Sequence, residues 1–284
     1  MNIQERTLSI KRILSSIMTG NIRLNSDYIN QLMSDGKHTI DPEKIIKEDG
    51  PNTVTLFGYS FGPFDCDSYL RSDCRVVYLL KEPVLRRESY ENGDRGFHDQ
   101  AKEYLFEYIN TGKMSPPYPQ IARNVYSIFH AFDEESKVFK DSDNEMTEAY
   151  NLLLNKTAII NVNNYPSLGG SSNNTLIDKW AKENKNTIVE LIKLLEPTII
   201  ISGTSLGKFI NNKNDTCELF DGYGKNCKKC SENNQEYKDC YYSEKTLFIN
   251  GYHPSAPTIN KDKHHVFIRS VIGEWPKARD LICI

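Results

Sequence analysis

A chain of 284 residues has room for a sizeable core, and 38% apolar with 26% charged residues is the balance of a folded protein, which excludes a disordered one. No apolar run approaches the ~18 residues needed to cross a bilayer, and the charged start MNIQERTLSIKRIL does not read as an export signal, so a cytoplasmic chain without a membrane partner is expected. The formal net charge of -3 gives no global attraction to nucleic acid and leaves that work to local patches: KNCKK at 225–229, Arg86 with Arg87, and KDKHH at 261–265.

Residues 1–50 are predicted to form an N-terminal helical extension. Ile3, Leu8, Ile10, Ile13, Leu14, Ile17 and Met18 leave one apolar helix face with Gly20 as a stop, a second helix runs from Ser26 to Gly36, and Asp41 with Pro42 caps and opens a third. From about Val54 the pattern becomes short β-branched runs separated by amphipathic helices. RVVYLL (75–80), TAIINV (157–162), TIIIS (198–202) and TLFIN (246–250) are the near-continuous apolar stretches of parallel strands covered on both faces. Helical patterns fill the intervals at 98–109, 119–132, 145–154 and 175–196. The expected fold over 51–284 is therefore a three-layer α/β/α domain around a central, mainly parallel four-stranded sheet.

In such a sheet the ligand site lies past the carboxyl ends of the strands. The residues there are KEP (81–83), NVNNYPS (161–167), SGTS (202–205) and GYHPSA (251–256), so Glu82, Asn161 and His253 are expected to share one crevice. Taken singly, Glu82 and His253 have ordinary explanations: a solvent-facing or salt-bridged carboxylate and a capping or core imidazole. Tyr165 is a candidate for stacking on a ligand or for plain core packing. Asn163 and Asn164 read as turn formers, with Asn164 also a minor candidate for a ligand contact. Ser205, in SGTS, is placed either to bind phosphate or simply to turn the chain into a helix. Tyr59, Phe61 and Phe64 of GYSFGPF line the pocket or pack beneath it.

LLKEP, then IINVNNYP, then YHPSA, in that order and strand context, resemble the three motifs of the uracil-DNA glycosylase superfamily over roughly residues 54–284. The resemblance implies a DNA glycosylase that acts on a base flipped out of the stack. Breaking an N-glycosidic bond builds positive charge on the sugar and negative charge on the departing base, so the site needs an anion near one and a donor near the other. By this likeness Glu82 activates water and steadies the sugar, His253 donates to the leaving base, and Asn161 reads the edge of a pyrimidine. Pro254 and Ser255 hold the histidine turn against the DNA backbone; apart from the likeness, Ser205 in its loop and Lys228 and Lys229 on the cysteine knuckle are candidates to grip phosphate. Departures accompany the matches. Val84 stands where many relatives carry an aromatic gate, and Ala256, Pro257 and Thr258 follow the histidine motif where several present a wedging leucine. Uracil is the default substrate, and a bulky modified pyrimidine, as in some viral DNA, is the alternative the missing gate allows. A non-catalytic DNA-binding protein and a hydrolase of free nucleosides are the competing classes. No lysine occupies the nucleophile position, which implies a monofunctional enzyme; a monomer is expected.

The predicted insertion at 213–244 carries Cys217, Cys227, Cys230 and Cys240, spaced C-x9-C-x2-C-x9-C. A C-x2-C knuckle with two further cysteines presents four thiolates to a structural zinc ion. An iron-sulfur cluster and reduced surface thiols are the other readings. Cys66, Cys74 and Cys283 have no such spacing and read as ordinary thiols.

Overall fold

The computed structural model describes residues 1–18, 21–36, 38–58, 62–85, 87–93, 118–133, 143–168, 172–203, 210–211, 216–217, 228–229, 240–251 and 261–282. The four apolar runs form four strands: β3 (Val76–Leu80), β5 (Thr157–Asn161), β7 (Ile199–Gly203) and β12 (Leu247–Gly251). They pair in parallel in the order β12-β7-β3-β5. Their side chains alternate between two separate clusters, as a two-residue period requires. Val77, Leu79, Ala158, Ile160, Ile200 and Phe248 face one layer. Val76, Tyr78, Leu80, Ile159, Ile201 and Ile249 face the other.

The first cluster is roofed by α1 (Ile3–Met18), α2 (Ser26–Asp35), α3 (Cys66–Arg71) and α7 (Asn174–Leu195). The second is roofed by α5 (Tyr118–Phe129), α6 (Asp143–Lys156), α8 (Lys261–Glu274) and α9 (Ala278–Ile282). Between α3 and α5 the described elements also include β4 (Val84–Leu85) and α4 (Arg87–Glu91). The result is a three-layer α/β/α fold around a mainly parallel sheet. No helix among the described residues is long and apolar enough to cross a membrane.

The sheet is larger than the four predicted strands. β11 (Tyr241–Tyr242) pairs antiparallel with β12, and β10 (Lys228–Lys229) pairs antiparallel with β11, which makes six strands. Two-residue strands leave no periodicity to read. β11 covers the open edge of β12 and β10 in turn covers β11, where unpaired backbone groups would otherwise invite association. The pair β8 (Ile210–Asn211) and β9 (Thr216–Cys217) forms a separate antiparallel ladder.

The N-terminal segment holds its predicted helices and more. α2 starts on Asn25, whose side chain accepts from Asp27 N–H, and ends at Gly36 with φ 68°, a left-handed cap that favours glycine. Before it, β1 (Ile22–Asn25) pairs antiparallel with β2 (Thr53–Leu56), so the segment is tied to the chain that follows residue 50. The third predicted helix is a single 3-10 turn, Pro42–Lys44: Asp41 caps it as expected, but Ile45 is extended and Ile46 N–H bonds to Arg23 C=O. On α1, Ile10 and Ile13 are buried whereas Leu8 is 68% exposed, off the apolar face assigned to it. The predicted helix at 98–109, Tyr59 and Phe61 fall outside the described residues. Phe64 packs against the second cluster.

One side chain clamps α1 to α7. Arg6 donates from Nε and Nη2 to the Leu194 carbonyl (3.0 and 2.6 Å) and from Nη1 to the Glu196 carboxylate (3.0 Å), at the helix end where carbonyls lack partners. Arg6→Ala is expected to cost about 2 kcal/mol, because charge-assisted bonds to a nearly buried fork are lost together. A lowered urea midpoint with an unchanged slope is the expected reading.

Candidate active site

The first strand of the six-stranded sheet in sequence, β3, has β5 on one side and β7 on the other, so the chain reverses its winding direction there, the place past the carboxyl ends where such sheets bind ligands. Leu80 of β3 stands opposite Asn161 of β5, and Leu79 opposite Ser202 of β7. The β3–β5 pairing continues beyond both strands. Val162 N–H donates to Leu80 C=O, Asn163 N–H to Lys81 C=O, and Ser167 N–H to Pro83 C=O. β4 then pairs in parallel with β6 (Ser167–Leu168), Val84 opposite Ser167. KEP and NVNNYPS are thus zipped side by side, and Pro83, lacking an N–H, serves only as acceptor.

Glu82 sits two residues past the end of β3 and is 6% exposed. Thr39 Oγ1 donates to its Oε1 at 2.8 Å, and Asn163 Nδ2 donates to its Oε2 at 2.9 Å. Burial pushes the Glu82 carboxyl above the ordinary carboxylate range, although bonds from Thr39, Asn163 and Ser172 and the charge of Lys81 all pull it down. The ammonium of Lys81 itself goes to Asn174 Oδ1 (2.9 Å) on the first residue of α7.

Asn161 is 3% exposed, and its Nδ2 is buried without a hydrogen-bond partner. Buried donors are almost always satisfied, and leaving one unmade costs about 1–3 kcal/mol, so an orphan at a strand end asks for a ligand acceptor. His38 Nδ1, beside Thr39 in the chain, is likewise buried and unpartnered. Tyr165 turns its ring towards Trp180, centroids 5.2 Å apart, and packs against the first core cluster; burial raises its phenol pKa. Its N–H donates to Asn163 Oδ1.

β12 ends at Gly251, in register with Gly203 of β7. His253, Pro254, Ser255, Ser205, Cys227 and Cys230 lie outside the described residues. Of the remaining insertion residues, Cys217 closes β9, Lys228 and Lys229 form β10, and Cys240 is buried just before β11. Among the described residues no group of three or more His, Cys, Asp and Glu side chains converges as a metal site. Burial pushes the Cys66 thiol up to about 11 and Cys74 up to about 12, as unreactive thiols require.

Three residues at the carboxylate, Asn163, Thr39 and Ser172, escaped the sequence reading. Asn163 was legible only as a turn former, though its i, i+2 spacing from Asn161 is a same-face signal in extended chain. Thr39 lies in the N-terminal segment with no motif around it. No protein-family model matches the chain, and no curated protein gives a significant match.

Proposed function

We propose that the chain is a monofunctional DNA glycosylase of the uracil-DNA glycosylase type, hydrolysing the N-glycosidic bond of a flipped-out uracil or other modified pyrimidine. Support comes chiefly from Glu82, a buried carboxylate at the carboxyl end of β3 with a raised pKa, zipped against the strand that ends in the orphaned amide of Asn161. A carboxylate whose pKa is moved towards neutrality is suited to take a proton at working pH.

In this mechanism water attacks the anomeric carbon of the sugar and passes a proton to Glu82. The bond from that carbon to the base nitrogen breaks, its electron pair leaves with the base, and His253 donates to the developing oxyanion. Asn161 Nδ2 donates to a carbonyl of the extruded ring. An abasic site and a free base result. Val84, whose backbone pairs with Ser167, stands in the sequence where the family's aromatic gate would be, which is why a substituted pyrimidine is kept as a substrate. Ser255, Pro254, Ser205, Lys228 and Lys229 take the DNA backbone.

Cys217, Cys227, Cys230 and Cys240 suit a structural zinc ion, which supplies folding energy to the insertion and no chemistry to the reaction. The β10–β11 ladder supports the fit: it pairs Lys229, the residue before Cys230, with Tyr241, the residue after Cys240. The purified protein is expected to be colourless with one zinc per chain and to melt at lower temperature after chelation. A brown protein carrying iron, or a metal-free one with unchanged melting, would reject zinc.

The direct test of function incubates the protein with single-stranded and duplex oligonucleotides carrying uracil, mismatched thymine, hypoxanthine or a bulky 5-modified cytosine and scores abasic sites. Cleavage at one of them is expected. Binding without any abasic product would favour a DNA-binding protein that has lost its chemistry, and borohydride-trapped adducts would overturn the water mechanism.

A further inference from the structure

The hydrogen bonds around Glu82 have a fixed direction. The backbone N–H of Asn173, the N-cap of α7, donates to Thr39 Oγ1 at 2.7 Å, which leaves the Thr39 hydroxyl hydrogen for Glu82 Oε1 at 2.8 Å. On the other side, Tyr165 N–H donates to Asn163 Oδ1 at 3.0 Å, so the amide must turn its Nδ2 to Glu82 Oε2 at 2.9 Å. Backbone N–H groups cannot reverse roles. Each relay therefore ends with a hydrogen aimed at a carboxylate oxygen.

We infer that Thr39 and Asn163 are positioning residues that hold both oxygens of Glu82 as acceptors, committing it to the role of base rather than acid and making the N-terminal segment part of the site. The inference rests on the glycosylase reading for the reaction, though not for the geometry. Each oxygen keeps a second lone pair where the proton taken from water can sit, and the hydrogens donated by Thr39 and Asn163 favour the ionised form before the reaction while burial opposes it.

Thr39 is itself held firmly. Leu168 N–H donates to His38 C=O, Trp180 Nε1 to Ile40 C=O (2.7 Å), Tyr28 Oη accepts from Asp41 N–H, and Lys179 pairs with Asp41 at 3.2 Å. Residues 38–41 are thereby fastened to β6, α2 and α7. The groups acting on Glu82 among the described residues are Thr39 from this segment, Asn163 after β5, Ser172 before α7, and the one charged neighbour, Lys81.

Thr39→Val keeps the shape and removes the hydroxyl. Losing a donor to the ionised form raises the Glu82 pKa further, so the acid limb of the single-turnover rate is expected to move to higher pH, with kcat down about tenfold or more and KM little changed. Thr39→Ser should restore both. A second readout needs no substrate: Thr39→Val should lower Tm more at pH 8 than at pH 5, because the lost donor matters most to the ionised carboxylate, and that difference should vanish in a Glu82→Gln background. A cost equal at both pH values, with an unmoved acid limb, would show a merely structural threonine and overturn the inference. A pH-linked cost in a protein that releases no base from any oligonucleotide would retain the clamp and reject the glycosylase. If Thr39→Val does not fold, Asn163→Asp turns a donor into an acceptor on the other oxygen and should move the limb the same way; an unmoved limb there would equally overturn it.

Discussion

Replacing Glu82 by glutamine is expected to slow base release by about 10²–10⁴-fold, the usual contribution of a positioned general base. It should also make the folded protein more stable at neutral pH. The carboxyl is nearly buried and its folded pKa lies above the ordinary value. A raised folded pKa means that the native state binds the proton more tightly than the unfolded chain. The stability this group lends is therefore complete below the unfolded value of about 4.3 and is lost as pH rises through the folded one. Glutamine, which never ionises, escapes that loss. Melting curves of the two proteins should coincide near pH 4 and separate towards pH 8, with Glu82→Gln the higher. A variant less stable than the parent at pH 8 would mean that the three donors outweigh burial.

The second large effect is expected at Asn161. Its Nδ2 is buried and unpartnered, as are Tyr69 Oη and Thr157 Oγ1, but it stands at the carboxyl end of a sheet strand, where a ligand acceptor can use the donor. Asn161→Leu removes the unsatisfied amide for an apolar side chain of similar shape. It should stabilise the protein by about 1–2 kcal/mol, measured by urea denaturation, because the desolvated donor is gone. It should also lower kcat/KM by about 10–100-fold, the loss of one hydrogen bond to the extruded base. Stability and activity moving in opposite directions mark a binding group. If both fall, Asn161 is a structural residue whose amide is satisfied in solution.

The parts of the fold legible in the sequence were those with a long-range physical signature. β3, β5, β7 and β12 are buried on both faces, and a sheet in that position demands the near-continuous apolar runs seen at 75–80, 157–162, 198–202 and 246–250. α7 declares itself through 22 residues with an amphipathic period. β4, β6, β10 and β11 are two residues each and are fixed by their partners rather than by their own side chains. The DPEKII cap signal was real but local: Asp41 and Pro42 start a turn, and pairing with Arg23 then pulls Ile46 into extended chain.

At the site the same division holds. Glu82 and Asn161 stand at strand ends, so their neighbourhood followed from topology. Thr39 reaches Glu82 across 43 residues through a segment shaped by β1, α2 and the Trp180 contact, none of which a motif encodes. Asn163 looked like a turn former because Asn-rich turns are common. Its amide is instead a bridge between the Tyr165 backbone and the carboxylate.

Glu82 acting as a buried base on water is the central claim, and the single-turnover pH dependence of abasic-site formation by the parent protein and Glu82→Gln, side by side, tests it most directly. The parent should lose rate on the acid side along a limb centred above the ordinary glutamate value, and the variant should be slow with no such limb. Equal rates for the two proteins, or a parent limb at the ordinary carboxylate value, would contradict it.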